Sequence, residues 1–296
     1  IVLFIILLFI LLMYPLHLSA INIRLSQIDS SGLLLNQKVK LFVSVTNNYG
    51  LPVKHIKKEQ FSLYESKDGR NFIKIPEFDE YKTMINYESG INFLLMIDNS
   101  GSMYYAMKNS NGKVHHRIHY AKEAIKTFLR NVNNPKDTIG LVSYNSDYTE
   151  HASLVSDKSK LFSQLNEIEP PLGNKHYTEI YGSLYLAIHA LKSVKGRKVI
   201  IMLSDGENMS LYKHTGVLHT QYGKKIFSYQ EPLELCQKEG VSVFAIHFGP
   251  YASKKDRNLH EIAIQSGGAV FDARRSEDLK KIYSTIVNQL LNEYYI

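Results

Sequence analysis

Three short stretches concentrate oxygen donors in this chain. Leu94, Leu95, Met96 and Ile97 form an apolar run that breaks abruptly into Asp98, Asn99, Ser100, Gly101 and Ser102. Asp98, Ser100 and Ser102 alternate, so one tight turn aims a carboxylate and two hydroxyls at a common point. Such hard oxygen groups suit a hard divalent cation, Mg2+ foremost and Mn2+ or Ca2+ after it. A second apolar run, 199–203, ends the same way in Ser204, Asp205 and Gly206. Between the two lies the polar loop 173–179, where Thr178 offers a third hydroxyl. Singly, Asp98 suits a turn, and Ser100 and Thr178 suit helix caps. Jointly, Asp98, Ser100, Ser102, Thr178 and Asp205 make a candidate metal site.

The elements that must position these groups can be read around them. Runs apolar on both faces belong in the middle of a parallel sheet. Ligands of open α/β sheets bind beyond the carboxyl ends of such strands. Asp98 and Asp205 therefore share an edge if their strands are neighbours. From Ile91 onward strands and helices alternate, which predicts a mostly parallel sheet with helices on both faces. Strands are expected at 91–97, 138–144, 198–203, 241–248 and 269–272, with 151–155 as an antiparallel edge partner. Helices are expected at 116–132, 158–168, 180–194, 258–265 and 277–295. The last of these places Leu279, Ile282, Ile286, Leu290 and Leu291 on one face.

On these residues the chain resembles the von Willebrand factor A domain family, which shares its fold with the integrin I domain. The metal-ion-dependent adhesion site of that family reads Asp-x-Ser-x-Ser, then a distant Thr, then a distant Asp. Asp98, Ser100 and Ser102 match the first element, in the Asp-x-Ser-Gly-Ser-Met form common in bacterial members. Thr178 matches the second and Asp205 the third. The likeness covers residues 90–296 and implies a Rossmann-like α/β domain. It also implies that the hydroxyls ligate the metal directly, while the two acids act largely through water.

Residues 21–89 have a different texture. Segment 38–46 alternates with period two, and 60–65 and 71–75 read as further short strands. Turn signals separate them at 47–50 and 67–69. This is the pattern of a small β-sandwich, similar to an immunoglobulin-like module and expected to pack on its neighbour. Residues 1–14 are an unbroken apolar run, followed by Leu18, Ser19 and Ala20, which suit a cleavage site. The expected organisation is a signal peptide or N-terminal membrane anchor at 1–20, a small β-sandwich at 21–89 and the α/β domain at 90–296.

Composition narrows the partners. The formal net charge of +7 is spread along the chain and no nucleic-acid motif accompanies it, so nucleic acid is not an expected partner. Cys236 is the single cysteine, which excludes an intrachain disulfide and reads as a buried, inert thiol. Twenty tyrosines without a tryptophan supply rings with polar tips, useful at interfaces. His115 and His119 stand one helical turn apart beside His116, but no neighbouring Asp, Glu or Cys completes a zinc site. Segment 207–230 is longer than an α/β connection needs and follows Asp205 directly. It reads either as a specificity loop or as a disordered insertion. A shorter insertion, 104–113, follows Ser102 and borders the same edge.

Two carboxylates and a dication sum to zero, which leaves the metal able to accept an anionic oxygen from outside. With the apolar N-terminal run, which argues for export, the resemblance implies a non-enzymatic, exported protein of the cell envelope or surface. It would dock an Asp or Glu of a protein partner, such as a host receptor or matrix component. The alternative is an assembly or scaffold factor for envelope proteins of its own cell. A haloacid-dehalogenase-type phosphatase would need a second Asp where Ser100 stands. Gly-x-Ser-x-Gly and His-Glu-x-x-His are missing too, so a hydrolase is not expected.

Overall fold

A computed structural model describes residues 5–10, 21–30, 33–83, 85–249 and 256–296. Its centre is a six-stranded sheet. The strands are β1 (Ile91–Asp98), β2 (Thr138–Tyr144), β3 (Tyr148–Val155), β4 (Arg197–Ser204), β5 (Val241–Phe248) and β6 (Val270–Ala273). Their spatial order is β3-β2-β1-β4-β5-β6, parallel throughout except for β3, which returns antiparallel beside β2. The main helices are α1 (Arg117–Asn131), α2 (Ser159–Asn166), α3 (Ile180–Ala190), α4 (Gln230–Glu239), α5 (Arg257–Gln265) and α6 (Ser276–Leu291).

Strand parity explains the two layers. Ile91, Phe93, Leu95 and Ile97 of β1 enter one core with α1, α2 and α6. Leu94 and Met96 enter the other, with α3, α4 and α5. Both faces of β1 are covered, so the run from Phe93 to Ile97 is apolar throughout, between Asn92 and Asp98. Register then sets the site. Ile97 lies beside Leu203, and Asp98 lies beside Tyr144. Asp98 and Asp205 thus leave the sheet at the same edge from adjacent strands.

Two helices stop earlier than their periodicity suggests. Helix α3 ends at Ala190 because Leu191, Lys192 and Val194 each donate to the carbonyl three residues back, which tightens the chain into turns. Helix α6 ends at Leu291, and Tyr294–Tyr295 form a short strand instead of a last helical turn.

That strand belongs to the small N-terminal module. An antiparallel sheet runs Ile21–Asp29, Lys40–Asn47, Tyr294–Tyr295, Lys82–Thr83 in that order. A second antiparallel sheet has Phe61–Ser66 between Ile5–Ile10 and Ile73–Ile75. Leu41, Val43 and Val45 of the first sheet share a core with Phe61 and Leu63 of the second, and Tyr294 and Ile296 complete it. Of the segment read as a signal or anchor, 1–4 and 11–20 lie outside the described residues. No helix among the described residues is long and apolar enough to cross a membrane.

The module sits at the amino ends of β4 and β5. Arg197 donates from Nε and Nη2 to Glu293, and from Nη1 to Gln27 and Ser242, at 2.7–3.0 Å. Asn86 donates to the same Glu293 at 2.8 Å. The backbones meet closely here. Gly267 has φ +82°, and a Cβ on it would lie 2.4 Å from the Leu25 carbonyl oxygen, so only glycine fits.

Candidate functional site

Four of the five candidate residues form one hydrogen-bonded cluster at the carboxyl edge. Asp98 is fully buried; its Oδ1 accepts from the Ser100 backbone N–H at 2.8 Å and its Oδ2 from the Ser204 hydroxyl at 3.0 Å. The Ser100 and Ser102 hydroxyls are 3.1 Å apart, and Ser102 donates to Asp205 Oδ1 at 2.6 Å. The turn is held from outside. Asn99 donates its backbone N–H to Tyr144 O and its side-chain amide to Glu169 O, and accepts from the Tyr104 hydroxyl. Gly101 lets the neighbouring loop close in, since a Cβ there would lie 3.0 Å from His176 Nδ1.

Thr178 reaches the same edge by its backbone. Its carbonyl accepts from Met209 N at 2.7 Å, and the next N–H, of Glu179, donates to Asn145 O at 2.8 Å. Thr178 is buried, and no hydrogen bond among the described residues joins its hydroxyl to the other four. Asn208 ties the loops together. Its side-chain oxygen caps α3 by accepting from Ile180 N, and its backbone N–H donates to Asp256, the N-cap of α5.

Burial and the nearby Asp205 charge push the Asp98 carboxyl up to about 7, against hydrogen bonds from Ser100 and Ser204 that favour its charged form. Two acids and hydroxyls, without sulfur in the cluster, fit a hard divalent cation.

Residues 92–285 match the von Willebrand factor type A domain, more than half of the chain. The chain belongs to that family. Comparison with curated proteins returns no match. Among solved structures, the chain is similar to an aerotolerance-related membrane protein from Bacteroides fragilis, at 18% identity and TM-score 0.51. That match covers 68% of this chain and 98% of the other. It is similar also to proximal thread matrix protein 1 from the mussel byssus, whose adhesion-site motif holds zinc, at 20% identity and TM-score 0.53 over 72% of this chain and 49% of that one. A variant of the PilB minor pilin from Streptococcus sanguinis aligns over 91% of this chain and 79% of its own, at 13% identity and TM-score 0.51. At these identities the likeness is one of fold.

The long insertion of this A domain packs on its neighbours. It contains a short helix, Leu211–Thr215, and a bridge between His219 and Gly223. Thr220 donates to Asp147 at 2.6 Å, and the Gln221 side chain exchanges hydrogen bonds with the Tyr148 backbone. His219 stacks on Tyr222 with centroids 3.7 Å apart, and a Cβ on Gly182 would lie 2.9 Å from the Tyr222 hydroxyl. The insertion therefore docks on the β2–β3 turn and on α3, bordering the Thr178 loop. The shorter insertion is partly a hairpin, Ala106–Lys108 against Val114–His116. His115 and His119 stack with centroids 4.2 Å apart, and no group of three His, Cys, Asp or Glu that could hold a metal occurs among the described residues. Cys236 is buried and its thiol is pushed up by burial, which leaves it unreactive.

Arg117 is the residue that sequence reasoning missed. Its Nη1 lies 2.7 Å from Asp205 Oδ2 inside the edge, at the first position of α1. The residue is 88 positions from its partner, and an arginine opening an amphipathic helix gives no local signal of such a contact.

Proposed function

We propose that this chain is a non-enzymatic protein-binding A domain of the cell envelope or surface, docking an acidic side chain of a partner on a divalent cation. Domains of this family mediate protein–protein binding and typically hold a divalent metal at this motif. The observation that carries the reading is the single hydrogen-bonded cluster of Asp98, Ser100, Ser102 and Asp205 oxygens at the ends of two adjacent strands. Mg2+, Mn2+ or Ca2+ is the class of ion it would take. Asp98 and Asp205 would supply the negative charge, and Ser100, Ser102 and Thr178 the neutral lone pairs. When bound, the ion supplies Lewis acidity and a coordination position for an anionic oxygen. The protein's share is to keep both acids out of bulk water and to hold the three loops in fixed relation. Asn99, Asn208 and Asp256 do this through the bonds described above.

Binding rather than catalysis fits the serines. Ser100 and Ser102 bond to each other and Ser102 also to Asp205, with no imidazole base among their hydrogen-bond partners in the described residues. The reading of export rests on the apolar sequence of the run at 1–14, whose residues 5–10 pair with Phe61–Ser66 in the structure, and agrees with the membrane protein among the similar folds. The test is capture of envelope and host proteins on the immobilised chain with Mg2+ and with chelator, alongside Asp98→Ala. A partner lost on chelation and in a folded Asp98→Ala variant is expected. A partner that survives both sinks the reading.

A further inference from the structure

We propose that Arg117 is a resident counter-cation of this site, competing with the divalent ion for Asp205 and so setting how tightly the ion is held. The inference rests on the cation-site reading above. Asp205 has both oxygens engaged by protein donors: Ser102 on Oδ1 at 2.6 Å and Arg117 Nη1 on Oδ2 at 2.7 Å. The Arg117 side chain is 9% exposed and the Asp205 side chain 0%. Tyr105 lies under the guanidinium at 5.8 Å, and Arg117 Nη1 lies 3.8 Å from where a Cβ on Gly249 would stand. Charges shielded from water in this way interact far more strongly than a surface pair. A dication approaching Asp205 must therefore weaken an existing ion pair and tolerate a nearby positive charge.

The geometry is that of a contact able to exchange. Arg117 holds Asp205 through one nitrogen, and its buried Nε has no hydrogen-bond partner among the described residues. A guanidinium meant only to clamp a carboxylate would use its fork, with two parallel bonds. The single bond leaves Arg117 free to yield Asp205 without losing a network. The charge count adds a consequence. With Arg117 retained, a loaded site carries an excess positive charge rather than none, which favours an anionic partner over a neutral one.

The experiment is calorimetric titration of Mg2+ into the wild-type chain, Arg117→Met and Arg117→Lys, with thermal unfolding of each at zero and saturating Mg2+. Arg117→Met keeps the stem and removes the charge. It is expected to bind Mg2+ about tenfold more tightly or better, while Arg117→Lys stays near wild type. The same coupling requires the Met variant to unfold earlier than wild type without Mg2+, with the gap narrowing at saturation. Arg117→Gln takes its place should the Met variant not melt cooperatively. A folded, uncharged variant whose Mg2+ affinity is unchanged or weaker overturns the role of Arg117 and leaves the cation site standing. Failure of wild type and variants alike to bind Mg2+ overturns both.

Discussion

Strand β4 has a buried arginine–carboxylate pair at each end, and the two are built differently. At its amino end Arg197 grips Glu293 with two parallel bonds at 2.9 Å, and its remaining nitrogen serves Gln27 and Ser242. Every nitrogen of that guanidinium is used, and the four elements it joins come from both halves of the molecule. At the carboxyl end Arg117 holds Asp205 by one bond, a second acid stands nearby in Asp98, and Arg117 Nε is unmatched among the described residues. In the first arrangement the hydrogen bonds of the Arg197 guanidinium are filled, and a second, half-buried arginine, Arg24, also lies near Glu293. The second has two acids against one base, and so carries an unmet demand for positive charge. The same interaction type thus acts as a rivet at one end and, on the proposed reading, as an open site at the other, and what separates them is completeness of hydrogen bonding.

The largest effect expected from this contrast is at the rivet. Glu293→Gln leaves Arg197 charged, buried and without its anion. It should cost about 3–5 kcal/mol, read as a lower midpoint in urea unfolding. The same chemical change at the open end should have the opposite sign. Asp98 is pushed up to about 7 from its ordinary 3.8, by burial first and the Asp205 charge second. A folded-state value raised in this way means the folded chain holds that proton more firmly than the unfolded chain. The Asp98 contribution to stability of the cation-free protein therefore falls as pH rises from about 4 to about 7, and is level above that. At about pH 8, Asp98→Asn should stabilise the cation-free protein by about 1–2 kcal/mol while removing Mg2+ binding. Loss of stability in both variants would mean that the two ends do not differ in the way described.

A smaller effect sharpens the same point. On the proposed reading a divalent ion competes with the proton on Asp98, so Mg2+ affinity should drop by up to about tenfold per pH unit below about 7 and level off above it. A calorimetric series from about pH 5.5 to about pH 8.5 checks this, and an unchanged affinity across the range would remove Asp98 from the site.

How far each end could be read in sequence follows from the range of its contacts. The open end is written locally. Apolar runs ending in Asp98-Asn99-Ser100-Gly101-Ser102 and in Ser204-Asp205 announce both the strands and their polar tips, and the parallel register brings them together. Thr178 is legible as a position, while its placement depends on Met209 and Asn145 in two other loops. The rivet is invisible in sequence because Arg197 and Glu293 lie 96 positions apart, in a strand and in a tail that helical periodicity extends too far. Tyr294 and Tyr295 become strand residues only because Lys40–Asn47 and Lys82–Thr83 leave a gap of their width. Arg117 was missed for the same reason as Arg197: its partner is remote, and its own neighbourhood reads as a plain amphipathic helix.

The smallest expected effect concerns the closeness of two loops at the open end. Gly101 separates Ser100 from Ser102, and His176 stands over it two residues before Thr178. A Cβ at Gly101 would meet His176 Nδ1 at 3.0 Å and His176 Cβ at 3.4 Å. This is unlike Gly267 at the other end, where a Cβ would strike backbone. His176 is an exposed side chain and can yield by a few tenths of an ångström, so Gly101→Ala should cost about 1 kcal/mol or less of stability. The informative reading is the Mg2+ affinity. If the Thr178 loop supplies a ligand, pushing His176 outward should weaken Mg2+ by a few-fold, about 1 kcal/mol, in a protein that remains folded. Trimming His176 to Ala in the same chain should restore it, because the added methyl then has room. Unchanged affinity in Gly101→Ala would detach Thr178 from the site and leave the cation to the two strand ends alone.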